Sequence, residues 1–321
     1  MRIEIDVSAA NDPDALRPLD RILYKIEDGW HVWNTAREPD IEALEASTWV
    51  RDQGRQGKRV REMLERSIQR EAWDSAPHGR RVRVTMQPDG QGALNPENAA
   101  RLSEEPLVIL VENRNSDGAF VKRVVTELDK PLDKYRKKWG EPVQFDSVGG
   151  KGQMADEVER RTRERPYRPR LVVIVDSDRR GPADEVSSEA RALCRKCANL
   201  GVPCWVLAKR EAENYLPEIL LAEWQDAGKD RARRVDAWRT LNDDQKNFFD
   251  MKNGLSTAAS QIEEALFDSL SANDRAILSH GFGQNVYQCW DVWNVPSPKH
   301  ELQTRGQGDL EHGLALIRGE V

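Results

Sequence analysis

A chain of 321 residues and 36.6 kDa is long enough for one large domain or two to three small ones and for a real buried core, which excludes disorder along its whole length. Hydrophobic residues supply 38% and charged residues 32% at a mean hydropathy of -0.74, so a modest interior lies under a charge-rich surface. The net charge of -6 rules out a simple basic nucleic-acid coat while leaving room for a local basic surface beside an acidic site, and no apolar run approaches a membrane span.

Met1 to Val7 lacks the basic-then-apolar order of a secretory signal, which predicts a protein that stays in the cytoplasm without a membrane partner. Three regions follow one another without an internal repeat. Residues 1–104 read as an α/β region that opens on an alternating strand, Arg2 to Val7. In the helix after it Asp12 is placed to cap, Pro13 fits the first turn, and Leu16, Leu19, Leu23 and Ile26 share a face. Helical stretches run near Pro39 to Val50 and Lys58 to Trp73, the second with Val60, Met63, Leu64 and Ile68 at helical spacing. Val82, Val84 and Met86 then alternate as in a strand, which Pro88-Asp89-Gly90 ends.

Residues 105–216 change character, because apolar runs of strand length alternate with polar segments of helix length. The strands are Leu107 to Val111, a weaker Val143 to Phe145, Leu171 to Val175, and Val202 to Leu207; the helices are Gly118 to Leu128, Gln153 to Arg165, and Ser187 to Leu200. That pattern is βαβ and predicts a buried parallel sheet. Residues 217–321 are helical by period, including Thr257 to Leu270 and Asp309 to Ile317, with no strand run.

Ligands of an open parallel sheet sit outside the carboxyl ends of its strands, so the residues that follow each apolar run are the ones to inspect. Here they are acidic. Glu112 ends the first run, with Asp117 shortly after it; Asp176-Ser177-Asp178 ends the third; Lys209-Arg210-Glu211-Ala212-Glu213-Asn214-Tyr215-Leu216 follows the fourth. Alternation along an extended segment predicts Asp176 and Asp178 on one side of the chain, both reaching one cation. Carboxylates converging at one edge repel unless neutralised, and hard oxygen ligands favour Mg²⁺ or Mn²⁺. The plainer reading, acidic loop residues facing water, fits Asp-x-Asp taken alone better than it fits all four carboxylates in this strand context.

Val111-Glu112, the downstream Asp117, the glycine turn Gly149-Gly150-Lys151-Gly152 and Val175-Asp176-Ser177-Asp178 together resemble the TOPRIM domain shared by topoisomerases, primases and OLD-type nucleases. Glu213-Asn214-Tyr215-Leu216 and Phe249-Asp250-Met251-Lys252-Asn253-Gly254 are similar to segments of the OLD-like, ATPase-associated, phage-defence branch. The resemblance spans about residues 105–255, with Asn113 standing where the family has a glycine. It implies a TOPRIM (Rossmann-like) parallel sheet over 105–216, flanked by the N-terminal α/β region and the C-terminal helical region. It also implies metal-dependent hydrolysis of DNA or RNA with one or two Mg²⁺ or Mn²⁺ ions. Glu112, Asp176 and Asp178 would hold the first ion, Asp117 and Glu213 the second, with Glu211 in reserve for Glu213. Lys209 or Arg210 would neutralise charge on the pentavalent phosphate; both also read as solvated strand-end cations. The chain has no Gly-x-x-x-x-Gly-Lys-Ser/Thr motif, so a separately encoded ATPase subunit is the implied partner, beside self-association into a homo-oligomer. The rival reading is a non-catalytic TOPRIM subunit that binds metal or partner for structural reasons.

Other features have competing readings. Four cysteines in so long a chain do not make a disulfide framework, and Cys194-x-x-Cys197 lies inside a predicted helix with no second such pair, which favours core residues over a zinc site. The five histidines are scattered away from the acidic strand ends. Arg51 to Arg83 carries ten Lys or Arg against five Asp or Glu, a local net of +5, and Lys58, Arg59 and Arg61 are candidate nucleic-acid contacts or else a solvated helix face. Trp30 and Trp33, beside Val32, read as core anchors before base-stacking platforms.

Overall fold

The computed structural model describes residues 1–34, 38–51, 55–73, 79–88, 92–133, 142–224, 231–255, 260–306 and 308–321. Part of the Pro88-Asp89-Gly90 turn, the start of the Thr257 to Leu270 helix and part of the Arg51 to Arg83 stretch lie outside them. The described residues form an α/β structure with two four-stranded, all-parallel sheets and many helices, a Rossmann-like arrangement.

The first sheet holds β1 (Arg2–Ile5), β2 (Val32–Trp33), β3 (Arg81–Val84) and β4 (Ala93–Leu94) in the order β2-β1-β3-β4. Alternation bears out in β1 and β3, where Ile3, Ile5, Val82 and Val84 enter the core, but β3 ends at Val84 and Met86, expected to continue it, is exposed. Two-residue β2 and β4 are too short to show a period. Helix Leu16–Glu27 buries Leu19, Ile22, Leu23 and Ile26. Its expected cap is a correction: Ala15 stands at the N-cap, and Asp12 instead accepts the Asp14 N–H at 2.9 Å, so Asp12 and Pro13 make a turn before the helix. The Pro39 to Val50 stretch is two helices, Glu38–Glu45 and Thr48–Arg51. Trp33 is fully buried against Trp49, ring centroids 5.6 Å apart, as an anchor of this core.

The second sheet holds β5 (Leu107–Val111), β6 (Val143–Ser147), β7 (Leu171–Val175) and β8 (Cys204–Val206) in the order β6-β5-β7-β8. β5 and β7 are buried on both faces, as their unbroken β-branched and Leu runs require. Leu107, Ile109 and Val111 enter one core and Val108 and Leu110 another, the period of two made visible. Helix Ser116–Leu128 covers the first face; helices Lys151–Arg163 and Ser188–Asn199 cover the second. The chain leaves β5 toward β6 and then crosses back to β7, so the crevice between the carboxyl ends of β5 and β7 is the topological switch point.

The last hundred residues form helices and no strand among the described residues, and pack on the first face of this sheet rather than around a core of their own. Helix Asp309–Glu320 lies across Trp205 of β8, whose indole N–H donates to Asp309 Oδ1 at 2.9 Å. A Cβ at Gly313 would come within 2.3 Å of the Trp205 ring. Helix propensity alone favours Gly313→Ala by about 1 kcal/mol. The clash reverses the sign, and we expect a loss of about 1–3 kcal/mol in a denaturant melt. A variant more stable than the parent would show that this helix does not bear on the sheet.

Candidate functional site

Glu112 follows β5 directly and Asp176 follows β7, placing both at the switch point. The chain from Glu112 turns through Asn113, whose Oδ1 accepts the Asn115 N–H at 2.9 Å, and enters helix Ser116–Leu128. Asn113 needs no left-handed backbone here: Asp178, at φ 56°, is the single non-glycine with positive φ among the described residues. Its amide side chain builds the turn that a glycine would allow. Asp117, in the first turn of the helix, reaches back to accept the Asn113 N–H at 2.8 Å and the Ser116 hydroxyl at 2.9 Å.

Asp176 Oδ1 accepts the Ala212 N–H at 3.1 Å, which draws the loop after β8 onto the strand end. That loop is a 3₁₀ turn, Ala212–Tyr215, fixed by a capping box in which Glu211 and Asn214 exchange side-chain and backbone hydrogen bonds. It brings Glu211 and Glu213 inward. Glu211 accepts the Met251 N–H and the Lys252 ammonium, each at 2.9 Å, and Lys252 lies 3.3 Å from Glu213. Glu213 is 1% exposed, and neither of its oxygens accepts a hydrogen bond among the described residues.

The electrostatics follow from that crowding. Burial, then the charges of Asp117, Glu213 and Glu211, hold the Asp176 carboxyl well above the usual range. Burial likewise raises Asp117 and Glu211, and with Glu211 as neighbour pushes Glu213 up to about 7. Burial works against the charge on Lys252, but Glu211, Glu213 and Asp176 together hold its proton more tightly than usual. Four carboxylates from three separate chain segments therefore share one lysine.

Asp178 belongs to a second, more open group. Lys151, the first residue of helix Lys151–Arg163, lies 2.6 Å from Asp178 and 3.1 Å from Glu112, and Asp178 and Glu112 accept its charge against the cost of burial. The expectation that Asp176 and Asp178 project to one side is corrected: the left-handed turn at Asp178 ends the extended backbone on which alternation depends. Glu211 and Glu213 contact Lys252, with Asp117 and Asp176 near enough to feel its charge, while Glu112 and Asp178 contact Lys151. The groups adjoin, since the Glu112 charge also raises Asp117.

Lys209 and Arg210 point elsewhere. Lys209 is buried, donates to the Asn214 carbonyl at 3.2 Å and sits over the Tyr215 ring; burial, with Arg305 nearby, lowers its pKa to about 6. Arg210 pairs with Asp250 and Glu263, each at 2.9 Å. Both brace the loop, and neither pairs with Asp117, Asp176, Glu211 or Glu213 among the described residues. Tyr215 gives its hydroxyl to Asp309, which also accepts the Ala208 N–H at 3.0 Å, so the carboxylate loop is tied to helix Asp309–Glu320.

In the basic stretch Arg59 pairs with Glu27 and lies over the Tyr24 ring, and Lys58 is exposed 3.9 Å from Glu62. Cys194 and Cys204 are half-buried with sulfurs 2.6 Å apart, while Cys197 and Cys289 are fully buried. Cys194 thus meets Cys204 across the helix–strand contact. Residue reading missed the two lysines, although the segments that hold them, Gly149 to Gly152 and Phe249 to Gly254, stood out as motifs.

An all-oxygen donor set, with one buried carboxylate short of hydrogen bonds and its neighbours reluctant to ionise, fits a hard divalent cation. Among the described residues no three His, Cys, Asp or Glu stand together as a ready-made ligand set; ammonium groups lie between the carboxylates instead. No helix among the described residues is long and apolar enough to cross a membrane. Comparisons of the chain with protein-family models, curated proteins and solved structures return no match.

Proposed function

We propose that this chain is a TOPRIM-type, Mg²⁺- or Mn²⁺-dependent nuclease that hydrolyses phosphodiester bonds of DNA or RNA, and that it is the effector of an anti-phage defence system governed by a separate ATPase. The observation that carries the reading is the convergence of Asp117, Asp176, Glu211 and Glu213 at the switch point, around a single ammonium. Asp117, Asp176, Glu213 and Glu211 would hold one cation, and Glu112 with Asp178 a neighbouring one. Bound there, the metal supplies an activated water and a stabilised leaving oxygen. The residues contribute the rest. Asp117 and Asp176 are held by backbone N–H groups in fixed directions. Lys252 balances the charge of Glu211 and Glu213, the charge that a bound cation would also neutralise. Lys151, between Glu112 and Asp178, lines the open cleft that these two carboxylates share. Tyr215, its hydroxyl committed to Asp309, offers no nucleophile, in keeping with attack by water.

The lysine pairing also favours the second reading, a structural subunit in which Lys151 and Lys252 do permanently what a metal would do. Purified chain incubated with Mg²⁺ or Mn²⁺ and mixed single- and double-stranded DNA and RNA separates the two, with manganese titrated in parallel by calorimetry. Metal-dependent cleavage absent from Asp176→Ala supports the nuclease. Retained cleavage in Asp176→Ala removes the carboxylates from catalysis, and absence of manganese binding leaves the structural subunit.

A further inference from the structure

We propose that the cavity at the start of helix Ser116–Leu128, lined by Arg114, Asn115, Lys122, Tyr287, Gln288 and Asp291, seats the phosphodiester backbone of the nucleic acid that leads into the acidic centre; this rests on the nuclease reading above. The cavity is about 530 Å³ and opens where the loop after Glu112 enters helix Ser116–Leu128. Arg114 stands two positions beyond Glu112, and Lys122 lies on the helix whose first turn carries Asp117.

The physical problem is that six carboxylates repel a polyanion, so productive binding needs cations close enough to overcome them. Most cations near the site are committed: Lys252 to Glu211 and Glu213, Lys151 to Glu112 and Asp178, Arg210 to Asp250 and Glu263. Arg114 and Lys122 are different. Both are exposed, neither pairs with a carboxylate among the described residues, and the Lys122 ammonium rests over the Phe145 ring at 5.2 Å. Tyr287, half-buried on the core with no hydroxyl partner among the described residues, lines the same cavity as a third donor. Asp291 is the one carboxylate of the lining, and Arg123 beneath it offsets its charge. Two cations that pair with no carboxylate among the described residues and one phenol line a single groove, with Arg114 two positions along the chain from Glu112, and suit successive phosphates of a strand. The helix of Lys58, Arg59 and Arg61 lacks this arrangement, its arginine at 59 being spent on Glu27.

Fluorescence anisotropy with labelled 20-nucleotide single strands and 20-base-pair duplexes, in DNA and RNA forms, tests the assignment across a salt series. Arg114→Gln with Lys122→Gln is expected to weaken binding about tenfold and to lower the slope of log affinity against log salt by about 1.4 on single strands and about 1.8 on duplexes, as two phosphate contacts are lost. Lys58→Gln with Arg61→Gln should change neither. Melting curves confirm that these exposed substitutions leave the fold intact. Unchanged affinity and slope in the Arg114/Lys122 variant, with the parent still cutting, overturn the groove and leave the nuclease standing. A parent that neither binds nor cuts any probe overturns both. Asp176→Asn should bind as the parent does without cutting, which ties the groove to binding and the carboxylates to chemistry.

Discussion

Lys252→Met is expected to destabilise the metal-free protein at neutral pH by about 3 kcal/mol, the low end for removing one partner of a buried ion pair. Lys252 is the only ammonium within reach of Glu211 and Glu213 among the described residues, and both carboxylates are buried. The loss falls at the low end because Glu213, already near 7, takes up a proton and relieves part of the repulsion. The sign of the pH dependence follows. A carboxyl whose pKa is raised by folding binds protons better in the native state, so its penalty is absent below the unfolded value and grows as pH rises toward the folded one. For Glu213 that window runs from about 4.5 to about 7 and amounts to about 3 kcal/mol. Melts of the variant should therefore show stability falling between pH 5 and 7 more steeply than in the parent, and millimolar Mn²⁺ should restore much of it. A variant as stable as the parent across that range would mean that the carboxylates are solvated rather than crowded.

Asp176→Asn should separate activity from stability. Cleavage should fall by about a thousandfold or more, a barrier increase of about 4 kcal/mol, because the carboxylate at the centre of the cluster is the one every other acid of its group adjoins. Stability should rise, since the amide keeps an acceptor for the Ala212 N–H and removes a desolvated charge that Asp117, Glu213 and Glu211 oppose. The parent should gain about 2.7 kcal/mol when Mn²⁺ exceeds its Kd a hundredfold, and the variant much less. Cleavage at the parent's rate would take Asp176 out of the chemistry, and a less stable variant would show that its charge is needed by the fold.

The sheet that carries the site was legible because β5 and β7 are buried on both faces, and a chain so buried can be built only from runs such as Leu107 to Val111 and Leu171 to Val175. Strand ends then pointed to Glu112 and Asp176. β2 and β4 were not legible, since two residues have no period and are strands only by pairing with β1 and β3. How the acids would group also escaped the sequence, for a local reason and a distant one. The left-handed turn at Asp178 sends its carboxylate to Lys151, a conformation that Asp tolerates but does not announce. Lys252 arrives from beyond helix Asp243–Phe248, and only the fold makes it a neighbour of Glu211. Lys209 looked like an active-site cation because it sits beside acids in sequence; the turn that buries Glu213 buries Lys209 too, against Tyr215 and away from the cluster.

Asp309 holds the indole of Trp205, the amide of Ala208 and the hydroxyl of Tyr215, and so closes the loop that presents Glu211 and Glu213. That clasp joins positions 94 residues apart. At a translation rate of about 5–20 residues per second, roughly 5–20 s pass between the making of Tyr215 and of its partner. Through that interval every acid of the cluster already exists, yet the last brace of the loop does not. On the nuclease reading proposed above, a growing chain on the ribosome, surrounded by RNA, would in this way be kept from completing the carboxylate loop until the sheet that carries it has been left well behind by synthesis.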